Sequence, residues 1–369
     1  APVWAVVAGG GTAGHVLPAL AAARALVARG HPPESVRFVG SARGQEARLV
    51  PEAGFPVTLL PGRGIARRLT ADNVGAAAGL ARGLARAVVL LRRWRPAVVL
   101  SVGGYASVPA VVAAAVWRVP LVLHEQNAVP GLANRLAGRV ARASAVSFEG
   151  TPLPRAVLTG NPVRDEIAAV DRSPAGRRAA RRRLGLPEEA RVVAVVGGSL
   201  GARRINEAVF ALVEAWAGRA GVAVRHAVGA RDWAAVAPRL PRPAAGGLVY
   251  QPVEYEHRMP DLLGAADVVV GRAGGSVAEL TAAGVASLLV PLPTAPNDHQ
   301  TANATALARA GAAVVVPDAE LGAERLAAEL GALLDDPGRL AAMERAARSM
   351  ARPDAAERVA DVVERHARR

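Results

Sequence analysis

Four times along this chain of 369 residues a short apolar run breaks into glycines and then opens a helix-forming segment. The runs are WAVVAGGGTAGH, ending at His15, then VVLSVGGYAS (98–107), VVAVVGGSLGARRIN (192–206) and VVVGRAGGSVAEL (268–280). A fully buried strand reads as continuous apolar sequence, and the spacing in Val16–Ala28 is that of the helix after the first turn. Such a unit aims backbone N–H groups and the positive end of a helix at one point, so an anion is expected there. Strands that end in glycines or polar residues, each followed by a helix, describe a doubly wound parallel sheet with its site at the strand carboxyl ends.

The length favours two domains over one. Hydrophobic residues make up 51% of the chain and aromatics only 3%, so the cores are built from Ala, Val and Leu, which suits parallel sheets covered by helices. In the first half, strands are expected at Val3–Ala8, Val36–Gly40, 57–60, 98–101, 119–127, 143–148 and 156–160. A helix over 72–95 carries Leu80, Leu84, Val88 and Leu91 at helical spacing and stops at Pro96. Asn161–Pro162 marks the change of domain. The series then restarts at Val192, with further strands at 222–228, 248–253, 266–271 and 286–292. The tail from about 340 to 366 reads as one or two helices broken near Pro353.

The formal charge is +14, and all 45 basic residues are Arg, a bias that GC-rich coding explains. The excess still favours anionic partners such as phosphates, nucleic acid or acidic membrane surface. The Arg-rich helix 177–183 reads as a solvated face, because no aromatic residues are interleaved to stack on bases. With no cysteine, disulfides and thiolate chemistry are excluded. The apolar N-terminus is too short for a signal peptide and lacks a basic leader, and Arg118 stops the run from Val108 far below spanning length. A soluble, cytosolic protein is the expectation.

Gly9, Gly11 and Gly14 match the dinucleotide fingerprint, but a dehydrogenase needs an acid at the end of the second strand. That strand ends in Gly40 and Ser41, and the nearest acid is Glu46, which weakens a nicotinamide oxidoreductase. What distinguishes the first turn is His15, a titratable ring at the mouth of its helix. In the fourth turn Glu279 sits where an early-turn acid reaches ribose hydroxyls or merely complements the helix dipole. Asn297, Asp298, His299, Gln300 and Asn303 crowd one loop and first turn, more side chains than capping needs and suited to a sugar with several hydroxyls.

Taken together, GGGTAGHVLPAL, SVGGYASVPA, HEQNAVPGLANR, GNPVR, VVGGSLGARRIN, RAGGSVAEL and NDHQTANA resemble, in order and spacing, the MurG family of bacterial cell-wall glycosyltransferases. The resemblance covers nearly the whole chain. It implies the α/β GT-B fold, two Rossmann-like doubly wound parallel-sheet domains facing across a cleft. Residues 1–160 would be the acceptor and membrane-side domain and 161–345 the UDP-GlcNAc-binding domain, with a C-terminal helix from about 346 to 369 packing back on the first. The implied reaction is inverting transfer of N-acetylglucosamine from UDP-GlcNAc to the muramyl 4-hydroxyl of lipid I, giving lipid II. Another GT-B UDP-sugar transferase acting on a lipid or natural product, or a UDP-GlcNAc 2-epimerase, is the neighbouring alternative.

The resemblance also implies site residues. Thr12, Ala13 and Gly14 would contact donor or acceptor, and Ala13 tolerates its methyl only at negative φ. Tyr105, Gly275 and Ser276 belong to the same substrate set. Asn127 would touch the transferred sugar, Arg164 and Ser199 the donor diphosphate, Glu279 the ribose, Gln300 the sugar hydroxyls, and the backbone near Tyr255 and Glu256 the uracil. Leu200 stands where the family often has Gln. His15 is the candidate base, with His124 and Glu125 as the second choice; a histidine after a glycine turn can also simply bond a carbonyl. No DxD-type acid pair lies in a glycine turn, so no metal and no cofactor is expected, and helix dipoles and Arg would carry the phosphate charge. A lipid-linked acceptor implies peripheral docking on the cytoplasmic face of an anionic membrane, through Ile65 and Leu69 among Arg63, Arg67 and Arg68, with the Leu80–Leu91 stripe facing the core. Cell-wall synthesis and division proteins are the implied protein partners, and nucleic acid is not one.

Overall fold

The computed structural model describes residues 2–61, 72–198 and 201–368, with backbone only over 72–78. The chain divides into two compact units, residues 1–164 with 352–369, and residues 165–351.

The first unit holds a parallel sheet of β1 (Ala5–Ala8), β2 (Val36–Ser41), β3 (Val57–Leu60), β4 (Val98–Ser101), β5 (Leu121–Glu125), β6 (Ala143–Val146) and β7 (Ala156–Leu158) in the order β3-β2-β1-β4-β5-β6-β7. The order reverses direction between β1 and β4, the switch point at which open α/β sheets place ligands. β1, β4 and β5 are buried at every residue, which is why they begin as apolar runs, with Ser101, His124 and Glu125 the polar residues at the carboxyl ends of β4 and β5. One face is covered by α1 (Ala13–Ala28) and α2 (Glu46–Glu52), the other by α3 (Asp72–Trp94) and α4 (Val108–Val116). On α3, Ala87 and Leu91 face the core, Leu80, Leu84 and Val88 are half-buried, and Val89 is exposed.

The last helix, Ala355–His366, belongs to this unit and lays Val359, Ala360, Val362 and Val363 into the same core as α1. Arg29 pairs with Asp361 at 2.7 Å and Glu364 at 3.0 Å, and His31 meets Glu364 at 2.9 Å while stacking on Trp4.

In the second unit the sheet is β8 (Arg191–Val196), β9 (Val222–Ala227), β10 (Val249–Val253), β11 (Val268–Gly271), β12 (Ala286–Leu289) and β13 (Ala313–Val315), ordered β10-β9-β8-β11-β12-β13, again parallel. The edge strand β13 was not among the expected strands, since three residues following a helix are too short to show a period of their own.

Two expectations are corrected. The first helix begins at Ala13 and not at Val16, so His15 lies inside the first turn, with Thr12 extended (φ −124°) as its cap residue. The Arg-rich helix, Pro174–Leu184, is not simply a solvated face. Arg181 is buried, pairing with Asp267 at 3.0 Å; Arg177 reaches Glu344 at 2.5 Å; and buried Arg172, just before the helix, meets Glu344 at 2.6 Å. Three methylenes of side chain let each guanidinium reach inward from a helix whose sequence shows only charge.

Candidate functional site

In the first unit the carboxyl ends of β1, β2, β4 and β5 converge. Beyond β1 the chain runs through Gly9, Gly10 and Gly11 at φ of +143°, +150° and +95°, a path side chains rarely take. A methyl on Gly9 would overlap Val102, and one on Gly104 would come within 2.9 Å of the Gly10 carbonyl, so the first two glycine turns touch because neither carries a side chain there. Ala13 is absent from the positive-φ residues and is helical, which leaves its methyl unstrained.

His15 stands between these turns. Its Nδ1 lies 3.0 Å from the Thr12 hydroxyl, and Nε2 lies over Gly104, 3.9 Å from where a Cβ would be. Thr12 and Gly14 are exposed, and Tyr105, also partly exposed, packs beside Gly11 and donates its hydroxyl to Ser41 Oγ at 3.1 Å.

The HEQN segment has a different character. His124 is buried, with Nε2 3.3 Å from the Gly160 carbonyl and Nδ1 accepting the Gln126 amide at 3.0 Å. Burial, with a smaller contribution from nearby His15, pushes its pKa down to about 4. Glu125, 2% exposed, receives the N–H and the side-chain amide of Asn127 on Oε1, each at 3.1 Å. Its Oε2 takes the Gly131 N–H at 3.1 Å and Asn134 at 3.0 Å. These two side chains, expected as alternative bases, are bonded within the protein, and Glu125 ties down the loop after β5. Asn127 is held half-buried by the same clamp. Arg164 is half-buried at the end of this unit.

Sequence reasoning passed over Glu46 except as an acid in the wrong place for ribose. It is 1% exposed and accepts the N–H groups of Gly11 and Ser41, both at 2.7 Å. The signal was present: an acid in the first turn of a helix, two residues after Gly44.

In the second unit the turns after β8 and β11 and the loop after β12 carry the expected residues. Ser199 and Leu200 lie outside the described residues, as do Arg63, Ile65, Arg67, Arg68 and Leu69. Gly275 and exposed Ser276 open the helix Ser276–Ala283, with half-buried Glu279 in its first turn. Gln300 links this turn to the loop after β12: its Oε1 accepts from Ala273 N at 3.2 Å and Leu292 N at 3.0 Å, which turns Nε2 toward Gly274. The rest of the polar crowd is largely spent locally. Asp298 accepts the Thr301 hydroxyl at 2.6 Å, His299 Nδ1 meets the Pro296 carbonyl at 2.8 Å, and Asn303 donates to Ala273 O at 3.0 Å. Glu256 is buried against Arg225 at 2.8 Å, beside exposed Tyr255. Among the described residues no group of three His, Asp or Glu is placed to hold a metal ion.

Residues 5–146 match the model of the glycosyltransferase family 28 N-terminal domain, and residues 192–359 that of the family 28 C-terminal domain. The UDP-N-acetylglucosamine–N-acetylmuramyl-(pentapeptide) pyrophosphoryl-undecaprenol N-acetylglucosamine transferase of Desulforudis audaxviator is 42% identical, over 98% of this chain and 97% of its own. The enzyme of the same name from a Nocardioides species is 43% identical over 97% and 96%. The crystal structure of MurG from Acinetobacter baumannii superposes with a TM-score of 0.76 at 29% identity, covering 98% of this chain and 99% of that one. The two parallel sheets are those of the GT-B fold.

Proposed function

This chain belongs to glycosyltransferase family 28, and from that premise we propose that it transfers N-acetylglucosamine from UDP-GlcNAc to lipid I, forming lipid II. The observation that carries the reading is His15, a half-buried imidazole seated between two glycine turns at the sheet's switch point, in a chain similar over its whole length to transferases of that name.

Inversion requires direct displacement at the anomeric carbon by the acceptor 4-hydroxyl. His15 takes the proton of that hydroxyl at Nε2, with Thr12 holding Nδ1, so that the ring presents one defined nitrogen. Thr12, Ala13, Gly14 and Tyr105 line the acceptor side, and Asn127, pinned by Glu125, touches the transferred sugar. On the donor side Glu279 takes the ribose hydroxyls and Gln300 offers Nε2 to the sugar, its oxygen being already engaged. Gly275 and Ser276 supply the adjoining helix start. Arg164 and Ser199 stabilise the charge that develops on the UDP phosphate, a role oriented dipoles can fill without a metal.

No helix among the described residues is long and apolar enough to cross a membrane. Access to a lipid-linked acceptor is by docking: Val89 on α3 and Val112, Val116 and Trp117 on or just after α4 are exposed, and Arg92 lies over the Trp117 ring at 5.4 Å. An apolar face rimmed by Arg86, Arg92, Arg93 and Arg118 suits the anionic cytoplasmic leaflet.

Incubation with labelled UDP-GlcNAc and a lipid I analogue tests the reading: label should enter the lipid phase, survive EDTA, and fall about 10²–10⁴-fold in rate for His15→Ala with UDP binding intact. Near-normal turnover in that variant would remove His15 as the base.

A further inference from the structure

An α/β unit with a free glycine turn binds phosphate there, because the turn's N–H groups have no other acceptor. In the first unit that acceptor is already present. The Glu46 carboxylate bridges the ends of β1 and β2, one oxygen on Gly11 N–H and the other on Ser41 N–H, both at 2.7 Å. Three glycines from three segments surround it: a Cβ on Gly10, Gly40 or Gly44 would overlap the Glu46 side chain. The space of three missing side chains is thus filled by one carboxyl group.

Among the described residues no ion pair involves Glu46, which is 1% exposed. A buried anion without a cation is stable only where N–H dipoles are aimed at it. These amides are therefore a functioning anion site whose occupant is the chain's own side chain. We propose that Glu46 is a built-in anion that occupies the Gly11 N–H of the first glycine turn and positions the loop that leads into His15.

The consequence is a division of labour by sequence. A phosphate approaching Gly11 N–H would have to displace a carboxylate and meet its repulsion, so this N–H is taken from phosphate although the glycine spacing is that of a dinucleotide site. The same carboxylate fixes Ser41, whose hydroxyl accepts from Tyr105, and Gly11, four residues before His15. Glu46 is a positioning residue and acts through that loop; this half of the inference rests on the assignment of His15 above.

The test uses the full chain carrying Glu46→Ala or Glu46→Gln. Glu46→Ala should lower kcat about 100-fold, as small displacements of reacting groups do, with the donor KM changed less than about twofold. Formate, which fits the vacated space, should restore part of kcat, and inorganic phosphate should raise the melting temperature of the variant more than that of the parent. Glu46→Gln keeps the volume but faces one N–H with another, so it should lose kcat while remaining folded. Equal responses of variant and parent to formate and phosphate would overturn the built-in anion. The two readings separate cleanly: turnover retained by His15→Ala would remove the base, whereas anion uptake by Glu46→Ala is read by melting and needs no turnover.

Discussion

Gln126 donates its amide to Nδ1 of His124 at 3.0 Å, and so fixes Nε2 as the protonated nitrogen facing the Gly160 carbonyl. A histidine held neutral on both sides cannot accept a proton without breaking a bond to its surroundings. The same is true in the second unit, where His226 Nε2 lies 3.0 Å from Asn206 Oδ1 and Nδ1 lies 3.0 Å from the Tyr250 hydroxyl. Burial pushes the two pKa values down to about 4 and about 3.

These two rings predict acid sensitivity. Their folded pKa values lie below the unfolded value of 6.5, so between those limits the unfolded chain binds more protons and stability falls as the pH falls. Above pH 6.5 the contribution is intact; by pH 5 each histidine should have removed about 2 kcal/mol. Urea unfolding at pH 7.5 and pH 5 measures the loss, and His226→Gln should shrink the difference.

Glu125→Gln separates a clamp from a base. Four N–H groups converge on this carboxylate, and an amide would turn one donor against another. The expected loss is about 1–3 kcal/mol of stability, seen in chemical denaturation. A loss of turnover with unchanged stability would instead return Glu125 to the chemistry.

Glu344 should be among the most costly single replacements in the second unit. It holds Arg172 at 2.6 Å and Arg177 at 2.5 Å, and with neighbouring Asp267 it lowers the positive charge in a region where burial pushes the pKa of Arg172 down to about 10. Glu344→Ala leaves a buried cation without its partner and should cost about 3–5 kcal/mol, read as a fall in the denaturation midpoint. Glu344→Ala at unchanged midpoint would mean that Asp267 alone balances the cluster.

Membrane docking predicts that sedimentation with vesicles rises with their content of anionic lipid and falls with salt. Replacing Arg86, Arg92 and Arg93 together by Gln should remove about 1 kcal/mol per charge near the surface, while turnover on a short-chain, water-soluble acceptor stays as it was. Binding indifferent to both lipid charge and these three residues would eliminate this face as the docking surface.

The strands, the glycine turns and the two-unit plan were readable from the chain because they are local: a buried parallel strand is apolar at most of its residues, and a turn into a helix needs glycine where φ is positive. The positions of His15, Glu279 and Gln300 beside those turns were legible for the same reason, since they lie at short distances along the chain from a glycine turn or a strand end. What the side chains do once folded was not. The distance in sequence from Gly11 to Glu46 is 35 residues, from His124 to Gly160 it is 36, and from Arg172 to Glu344 it is 172. No periodicity carries such pairings. Tertiary packing alone decided that Glu46 supplies the anion its glycine turn calls for, that His124 and Glu125 are bonded within the protein, and that arginines of an apparently solvated helix turn inward. Sequence pattern records which surfaces must be buried; which polar groups then satisfy one another is settled only when distant segments are brought within hydrogen-bonding reach.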